Sequence, residues 1–367
     1  MTRATLLIGL DIGGTKTKAG AVAIGSGALD AGRIVAAEQM PTPPEPVGRF
    51  YDAMAELVRR VRARLGEADG VLLPLVGVAH PGRFLPDGTL ARGTTPNLGQ
   101  VPHQFDGVSP SQELAARLVM RVFAENDAVA QMRFGLDALL RDPRIHPRLV
   151  GQTVVYLGPG TVMGGGVARV SADGVVQPVT DGHFFDLQVP GWGDGTLTAE
   201  ELFTGSAVAR RIAQANVTLP EPILPARGER LTELLADPRA PESQRELART
   251  IADEEGDILA RLIETIHAGT IVKVRLERAP DGAVIRHVDE PDRVWSHEDR
   301  DVVRGATRFM LGGSVGIDPV RGGHIRRRAL ELLRKRGYGA IDIFQIPVAS
   351  ADAGLLGSVL AIPGAAV

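Results

Sequence analysis

Cysteine is absent from the 367 residues, which excludes disulfide frameworks, thiol nucleophiles and cysteine-ligated zinc together. An excess of charge of either sign is missing too. Lys and Arg number 41 against 44 Asp and Glu, a net charge of −3, so there is no basic field for nucleic acid or anionic lipid and no acidic tail. Long hydrophobic runs are also wanting: Leu6 to Leu10 is broken at Asp11, too short for a signal-peptide core or a membrane span. A cytoplasmic location is therefore the default expectation. Tyrosine is scarce, with three against 44 glycines. Glycines gathered at strand ends imply close approach of backbone to a ligand.

What remains is an ordinary globular composition, 44% hydrophobic and 23% charged, in a length that fits two domains. Leu6, Ile8 and Leu10 lead into Gly13-Gly14, and Ala19, Ala21 and Ala23 follow, so residues 5–24 read as strand, glycine turn, strand. Pro41 to Pro46 is a loop. Phe50, Met54, Leu57, Val58, Val61 and Leu65 then repeat at helical spacing. A strand from Val71 ends near His80-Pro81-Gly82, and residues 86–110 read as a long functional loop. Ser111 is the expected cap of a helix reaching Leu118, ahead of a strand ending in Glu125-Asn126-Asp127.

Beyond it, Val129, Met132, Leu136 and Leu139 mark another helix. Thr153 to Leu157 runs as a strand into a second glycine cluster, Gly158 to Gly166. A long helix is expected over 242–267, a hairpin over 270–290, a strand from Thr307 to Leu311 before Gly312-Gly313, and a basic helix over 323–336. A strand from Ile341 and an apolar helix from Ala353 to Leu360 close the chain. The alternation predicts an α/β architecture. The repeat of strand, glycine turn, strand predicts a duplicated domain with phosphates held between the halves.

Asp11-Ile-Gly-Gly-Thr-Lys16 has Gly-Thr-Lys where a P-loop needs Gly-Lys-Ser/Thr, and a strand follows it instead of a helix. A hairpin turn still offers backbone N–H groups and the Thr15 hydroxyl to phosphate oxygens, and Asp11 is placed to hold Mg²⁺ directly or through water. Asn126-Asp127 at a strand end suits a general base or a plain helix cap. Gly158 to Gly166 lacks Gly-x-Gly-x-x-Gly, so a dinucleotide fold is not indicated.

Taken in order, Gly9-Leu-Asp-Ile-Gly-Gly-Thr-Lys16, Pro96-Asn97-Leu98, Glu125-Asn126-Asp127-Ala128, the Gly158–Gly166 turn, Gly182-His183, Thr204-Gly205, Leu311-Gly312-Gly313 and Asp352-Ala353-Gly354 resemble the ROK family of sugar kinases and repressors. The resemblance runs from residue 5 to about residue 360. It implies duplicated actin-like (ribonuclease H-like) ATPase domains with an interdomain cleft, divided as 1–125 plus 352–367 and 126–351. It also implies transfer of the ATP γ-phosphate to a hexose hydroxyl with Mg²⁺, as in a glucokinase. Asp127 takes the role of base, and Asn97, Asn126, His183 and Glu200 those of sugar contacts. Asp11, Gly13, Gly14, Thr15 and Lys16 match the first phosphate motif, Gly160 and Thr161 the second, and Gly312 and Gly313 the adenosine motif. A homodimer or homotetramer is the family expectation.

Three departures stand out. Thr180 occupies the position of a sugar-gripping glutamate, which weakens a charged hydrogen bond worth about 1.5–3 kcal/mol. The three zinc cysteines after Gly-His are absent, so no zinc is expected; packing by Phe184, Phe185 and Trp192 is the expected substitute. The second phosphate turn is irregular: it is either two residues longer than usual or carries Val162 where a glycine is normal. Residues 270–305 are an insertion, read as a surface decoration or oligomer contact, with a lid or subunit arm as the alternative. The histidines at 267, 287 and 297 read as solvated and the basic helix as a solvated face. With the first strand starting near residue 5, a helix-turn-helix repressor is not expected. The second hypothesis is a catalytically weak sugar or nucleotide sensor, and the third an ATP hydrolase.

Overall fold

The computed structural model describes the chain apart from residues 1–3, 26–32, 67–68, 96–97, 100, 102, 161, 181–183, 185, 193–194, 279–283, 289–296, 348–350 and 366–367; at 180, 275–278, 284–288 and 297–299 it describes the backbone alone. In chain order the elements are β1 (Thr5–Ile12), β2 (Lys16–Ile24), β3 (Ile34–Pro41), α1 (Val47–Ala63), β4 (Val71–His80), α2 (Pro110–Leu118), β5 (Arg121–Asn126), α3 (Asp127–Leu140) and α4 (His146–Leu149). Next come β6 (Thr153–Pro159), β7 (Met163–Val170), β8 (Val176–Thr180), α5 (Ala199–Leu202), α6 (Gly205–Ala215), α7 (Glu229–Ala236) and α8 (Glu242–Ala268). The last are β9 (Val274–Arg278), β10 (Val284–Val288), α9 (His297–Val303), β11 (Arg308–Leu311), α10 (Gly313–Gly316), α11 (Arg321–Lys335), β12 (Asp342–Gln345) and α12 (Ala353–Leu360). Two compact units result, residues 1–147 with 350–367, and residues 148–349.

The first unit is built on a sheet of order β3-β2-β1-β4-β5. β1 pairs antiparallel with β2 and parallel with β4, and β5 runs parallel to β4. The register sets Asp11 opposite Ala79 and His80 opposite Asn126, so the carboxyl ends of three neighbouring strands share one edge. In open α/β sheets that edge is where ligands bind. Period-two alternation sends Ile8, Leu10 and Ile12 to the α1 face and Leu7 to the face covered by α3 and α12. α1 starts at Pro46 without a side-chain cap and buries Phe50, Met54, Leu57, Val58 and Val61. Each burial is worth about 1.5–3 kcal/mol before entropy, against about 1 kcal/mol for a missing cap, so packing decides that this helix forms. α12 lies close because β4 has glycine beneath it: a Cβ on Gly77 would stand 1.9 Å from the Ser358 carbonyl oxygen.

The second unit repeats the plan. Its order β12-β11-β6-β7-β8, with β6 antiparallel to β7, β7 antiparallel to β8 and β6, β11 and β12 parallel, reproduces β5-β4-β1-β2-β3. The duplication expected from the two glycine turns is thus present in strand topology. α8 and α11 pack Ile258, Leu262, Ile266, Ile325, Ala329 and Leu333 into its core.

Several expectations shift. Ser109, not Ser111, caps α2, accepting from Gln112 N at 3.5 Å with Pro110 as the first helical residue; proline there needs no hydrogen-bond partner for a missing N–H. β3, β8 and α5–α7 were not anticipated, although α6 and α7 do place apolar residues at helical spacing, Val208 with Ile212 and Leu231 with Leu234. α3 packs against α12, so the division falls at 147/148 and not at 125/126. The basic helix is not simply solvated: Arg328 reaches Asp257 at 2.9 Å, Arg336 reaches Glu264 at 2.8 Å, and Arg321 is buried against Glu255. His267 is tied by Nδ1 to Ala306 O at 2.8 Å, whereas the side chains at 287 and 297 lie outside the described residues. Phe184 is fully buried in the second core and Trp192 packs against it; Phe185 is outside the described residues. β9 and β10 form the anticipated hairpin, Val274 opposite Val288.

Candidate active site

In the first unit the glycine turn between β1 and β2 is fixed from the side. Gly13 N donates to Lys16 O at 3.0 Å, the Thr42 hydroxyl donates to Gly13 O at 2.6 Å, and Thr42 N donates to Thr15 O at 3.0 Å. Gly14, Thr15 and Lys16 are exposed at its tip. Behind them Asp11 is the penultimate residue of β1. Burial and the charges of Asp127 and Asp352 push its carboxyl up to about 7, against the pull of Lys16 and Lys18. Lys18 is ion-paired with Asp352. The first turn of α12 lies directly on Asp11, since a Cβ at Gly354 would stand 2.5 Å from its Oδ2.

Asp127 is the first residue of α3. Asn126 before it caps the helix, Oδ1 accepting from Ala128 N at 2.9 Å and Val129 N at 3.3 Å, while its Nδ2 donates to Gly82 O at 2.9 Å. Asn126, 5% exposed, therefore fixes the direction in which Asp127 leaves the sheet. Burial raises the Asp127 carboxyl to about 6, partly offset by the Ala128 N–H at 2.9 Å. Two carboxyl groups at one sheet edge thus titrate close to neutrality, the range suited to proton transfer and to a neutralising cation. Beneath Gly82 sits His80, fully buried, with Nδ1 2.6 Å from Pro81 O and Nε2 3.1 Å from the Tyr51 hydroxyl. Burial holds it neutral, at about 4. With Nδ1 protonated and donating to the carbonyl, Nε2 accepts from Tyr51.

In the second unit the Gly158-Pro159-Gly160 turn meets two other segments. Gly160 O accepts from Gly205 N at 2.8 Å, and Glu200 accepts from Met163 N at 2.6 Å as β7 begins. Burial raises the Glu200 carboxyl. Thr198 and Glu201 form a capping box on α5, and Thr204 caps α6. Gly312 N donates to Leu157 O at 2.9 Å and Gly313 N to the Tyr156 hydroxyl at 3.2 Å. Gly313 has φ 64°, and a Cβ there would lie 2.3 Å from Pro159 O. Only glycine fits that approach.

The sequence candidates thus divide. Asp11, Gly13, Gly14, Thr15, Lys16, Asn126 and Asp127 gather at one sheet edge of the first unit. Gly160, Glu200, Gly312 and Gly313 gather around one turn of the second. Asn97, Thr161 and His183 lie outside the described residues, as does the Thr180 side chain. Lys18, His80, Tyr156 and the charge of Asp352 were not anticipated. Asp352 had a signal, the Asp-Ala-Gly opening of α12. Tyr156 had none, because a tyrosine inside a buried strand reads as core. Among the described residues no group of three or more His, Asp or Glu is placed to hold a metal ion, and no helix is long and apolar enough to cross a membrane.

No protein-family model matches the chain. It is 31% identical over 183 residues to an N-acetyl-D-glucosamine kinase of Salmonella paratyphi A, covering 50% of this chain and 52% of that protein; the chain spans about half the length of the curated relatives it matches. Its fold is similar to that of a ROK hexokinase from Thermus thermophilus, at 24% identity and TM-score 0.58 with 97% of both chains covered. It is equally similar to a ROK family glucokinase from Streptomyces griseus solved with glucose and AMPPNP, at 19% identity and TM-score 0.58, covering 96% of this chain and 97% of that one.

Proposed function

We propose that this chain, which has the ROK-family fold, is a sugar kinase that transfers the γ-phosphate of ATP to a hydroxyl of a hexose or hexose derivative. The observation that carries the reading is Asp127, held at the start of α3 by its Asn126 neighbour, with its carboxyl near 6. A pure binding protein has no use for a carboxylate tuned to accept a proton.

Asp127, ionised at neutral pH, takes the proton of the attacking sugar hydroxyl as the phosphoryl group leaves ATP. Phosphoryl transfer needs no covalent nucleophile, which fits a chain without cysteine. Asp11 suits Mg²⁺: it is a hard oxygen donor whose charge is opposed by burial, Asp127 and Asp352, and this metal takes one or two carboxylates with the rest from water and phosphates. Bound with the nucleotide, Mg²⁺ would neutralise charge on the phosphates. Gly14, Thr15 and Lys16 present exposed backbone and side-chain donors for phosphate oxygens. In the second unit, Gly160 and Gly313 offer partly exposed backbone without side chains against which a nucleotide can lie closely, while Gly312 is buried, its Cβ position 2.4 Å from the Tyr156 ring. Glu200, with Asn97 and His183, is assigned to the sugar.

The reading is tested by ADP release from Mg-ATP against hexoses, N-acetylhexosamines and ketoses, with a sugar-free control; N-acetylglucosamine comes first because of the Salmonella relative's name. ADP that depends on one or two sugars supports it. Thr180 in place of a carboxylate favours a second reading, a sensor that binds sugar or nucleotide with little turnover. Binding by calorimetry without ADP release would select that reading. ADP release indifferent to sugar would select a hydrolase.

A further inference from the structure

The segment leading to Glu200 is held by the residues that open the 270–305 insertion. Gln188 N donates to Val272 O at 2.9 Å, Val274 N donates to Asp186 O at 2.9 Å, and Leu187 pairs antiparallel with Lys273. Within this ladder Lys273 Nζ lies 2.7 Å from Asp186 Oδ1, the side chains 5% and 4% exposed. Leu187, Ile271 and Val274 flank the pair in the core of the second unit. The path continues without a gap: Ala199 N donates to Leu187 O at 2.8 Å at the start of α5, and the next residue, Glu200, accepts from Met163 N at 2.6 Å beside the second glycine turn.

We propose that Lys273 and Asp186 are positioning residues for Glu200, and that the start of the insertion is the scaffold of the sugar-binding segment. The inference rests on the kinase reading in taking Glu200 as a sugar contact. A short two-strand ladder has weakly specified register, and a one-residue slip turns every side chain to the opposite face. A buried ion pair tolerates no such slip, because a displaced charge is left unpaired in the core. Its role here is register: it sets where α5 begins, and so where the Glu200 carboxylate stands.

The test uses the full chain with Lys273→Arg and with the double substitution Lys273→Met/Asp186→Leu. The double variant removes both charges, an exchange for apolar groups that commonly leaves folding intact, whereas Lys273→Met alone strands a buried carboxylate. The expected result is a double variant melting close to wild type, with the sugar KM raised about tenfold or more and the ATP KM changed by less than about threefold. Lys273→Arg, which keeps the charge, stays within about threefold of wild type for both. Wild-type sugar KM in the double variant, a parallel rise of both KM values, or a Lys273→Arg variant as impaired as the double would overturn the proposal. Should wild type show no sugar-dependent turnover, the kinase reading fails by itself and sugar affinity by calorimetry becomes the readout. Binding about tenfold weaker in the double variant then supports the positioning role, while equal affinities, or no binding by wild type, contradict it.

Discussion

Asp127→Asn isolates the proposed base from everything else Asp127 does. Asparagine keeps the oxygen that accepts from Ala128 N at 2.9 Å, so the start of α3 and the Asn126 cap are preserved. What disappears is the carboxylate able to accept a proton. General-base assistance contributes about 10²–10⁴-fold, or about 2.7–5.5 kcal/mol of barrier. The variant should lose turnover by that factor while binding sugar within a few-fold of wild type. With the carboxyl near 6 in the free protein, wild-type kcat/KM should rise with pH through 6 and flatten above 7. At pH 5 only about a tenth of the groups are ionised, and kcat/KM should be lower in proportion. In Asp127→Asn that acidic limb should vanish from the residual activity. Steady-state ADP release between pH 5 and 8, with calorimetry for the sugar, measures both effects. A variant retaining more than about a tenth of wild-type turnover, or the same acidic limb, would refute the assignment.

Other consequences follow from the same geometry. Gly313→Ala drives a Cβ to 2.3 Å from Pro159 O at φ 64°, so the ATP KM should rise about tenfold or more with little change for sugar; an unchanged ATP KM would remove Gly313 from the nucleotide site. Asp11 is raised to about 7 from 3.8, so between those values the folded chain holds a proton that the unfolded chain has released, and stability falls as pH rises through the window. Asp11→Asn should therefore be more stable than wild type at pH 8 without Mg²⁺, by about 2–4 kcal/mol, the gap closing by pH 4; urea unfolding at the two pH values checks it. His80 has the opposite sign. Its value is lowered to about 4 from 6.5, so its neutral burial favours the fold above 6.5 and that stability is lost as pH falls toward 4, by about 3 kcal/mol. A His80→Phe/Tyr51→Phe protein, which leaves no stranded hydroxyl, should lose that part of the acid sensitivity in the same assay.

The fold was legible where one periodicity governed a long segment, and short amphipathic helices such as α6 and α7 were missed. Phe50 to Val61 announced α1, and the matching glycine turns near residues 13 and 160 announced a duplication that the strand orders bear out. β3 and β8 stayed hidden because each lies at a sheet edge, half-covered, with no alternation to read: Ile34–Pro41 buries no residue fully. In the candidate site, short motifs at strand ends were readable because they are local. Asn126-Asp127 showed itself as both cap and candidate base, and the structure shows the cap. Partnerships distant in sequence were not readable. Lys18 with Asp352, Tyr156 with Gly313 and Asp186 with Lys273 each join residues whose meeting depends on the sheet already being assembled. The insertion, read from sequence as a surface decoration or oligomer contact, or else a lid or subunit arm, begins as core: Ile271, Lys273 and Val274 are all buried.

The proposed kinase activity is tested most directly by following the phosphoryl group itself. Wild-type protein is incubated with γ-labelled ATP, Mg²⁺ and N-acetylglucosamine or the sugar that performs best in the ADP screen, and the labelled products are separated. Label is expected in a sugar phosphate, in one-to-one ratio with ADP and abolished in Asp127→Asn. Label found only in inorganic phosphate, or equal labelling of the sugar by Asp127→Asn, would contradict the proposal.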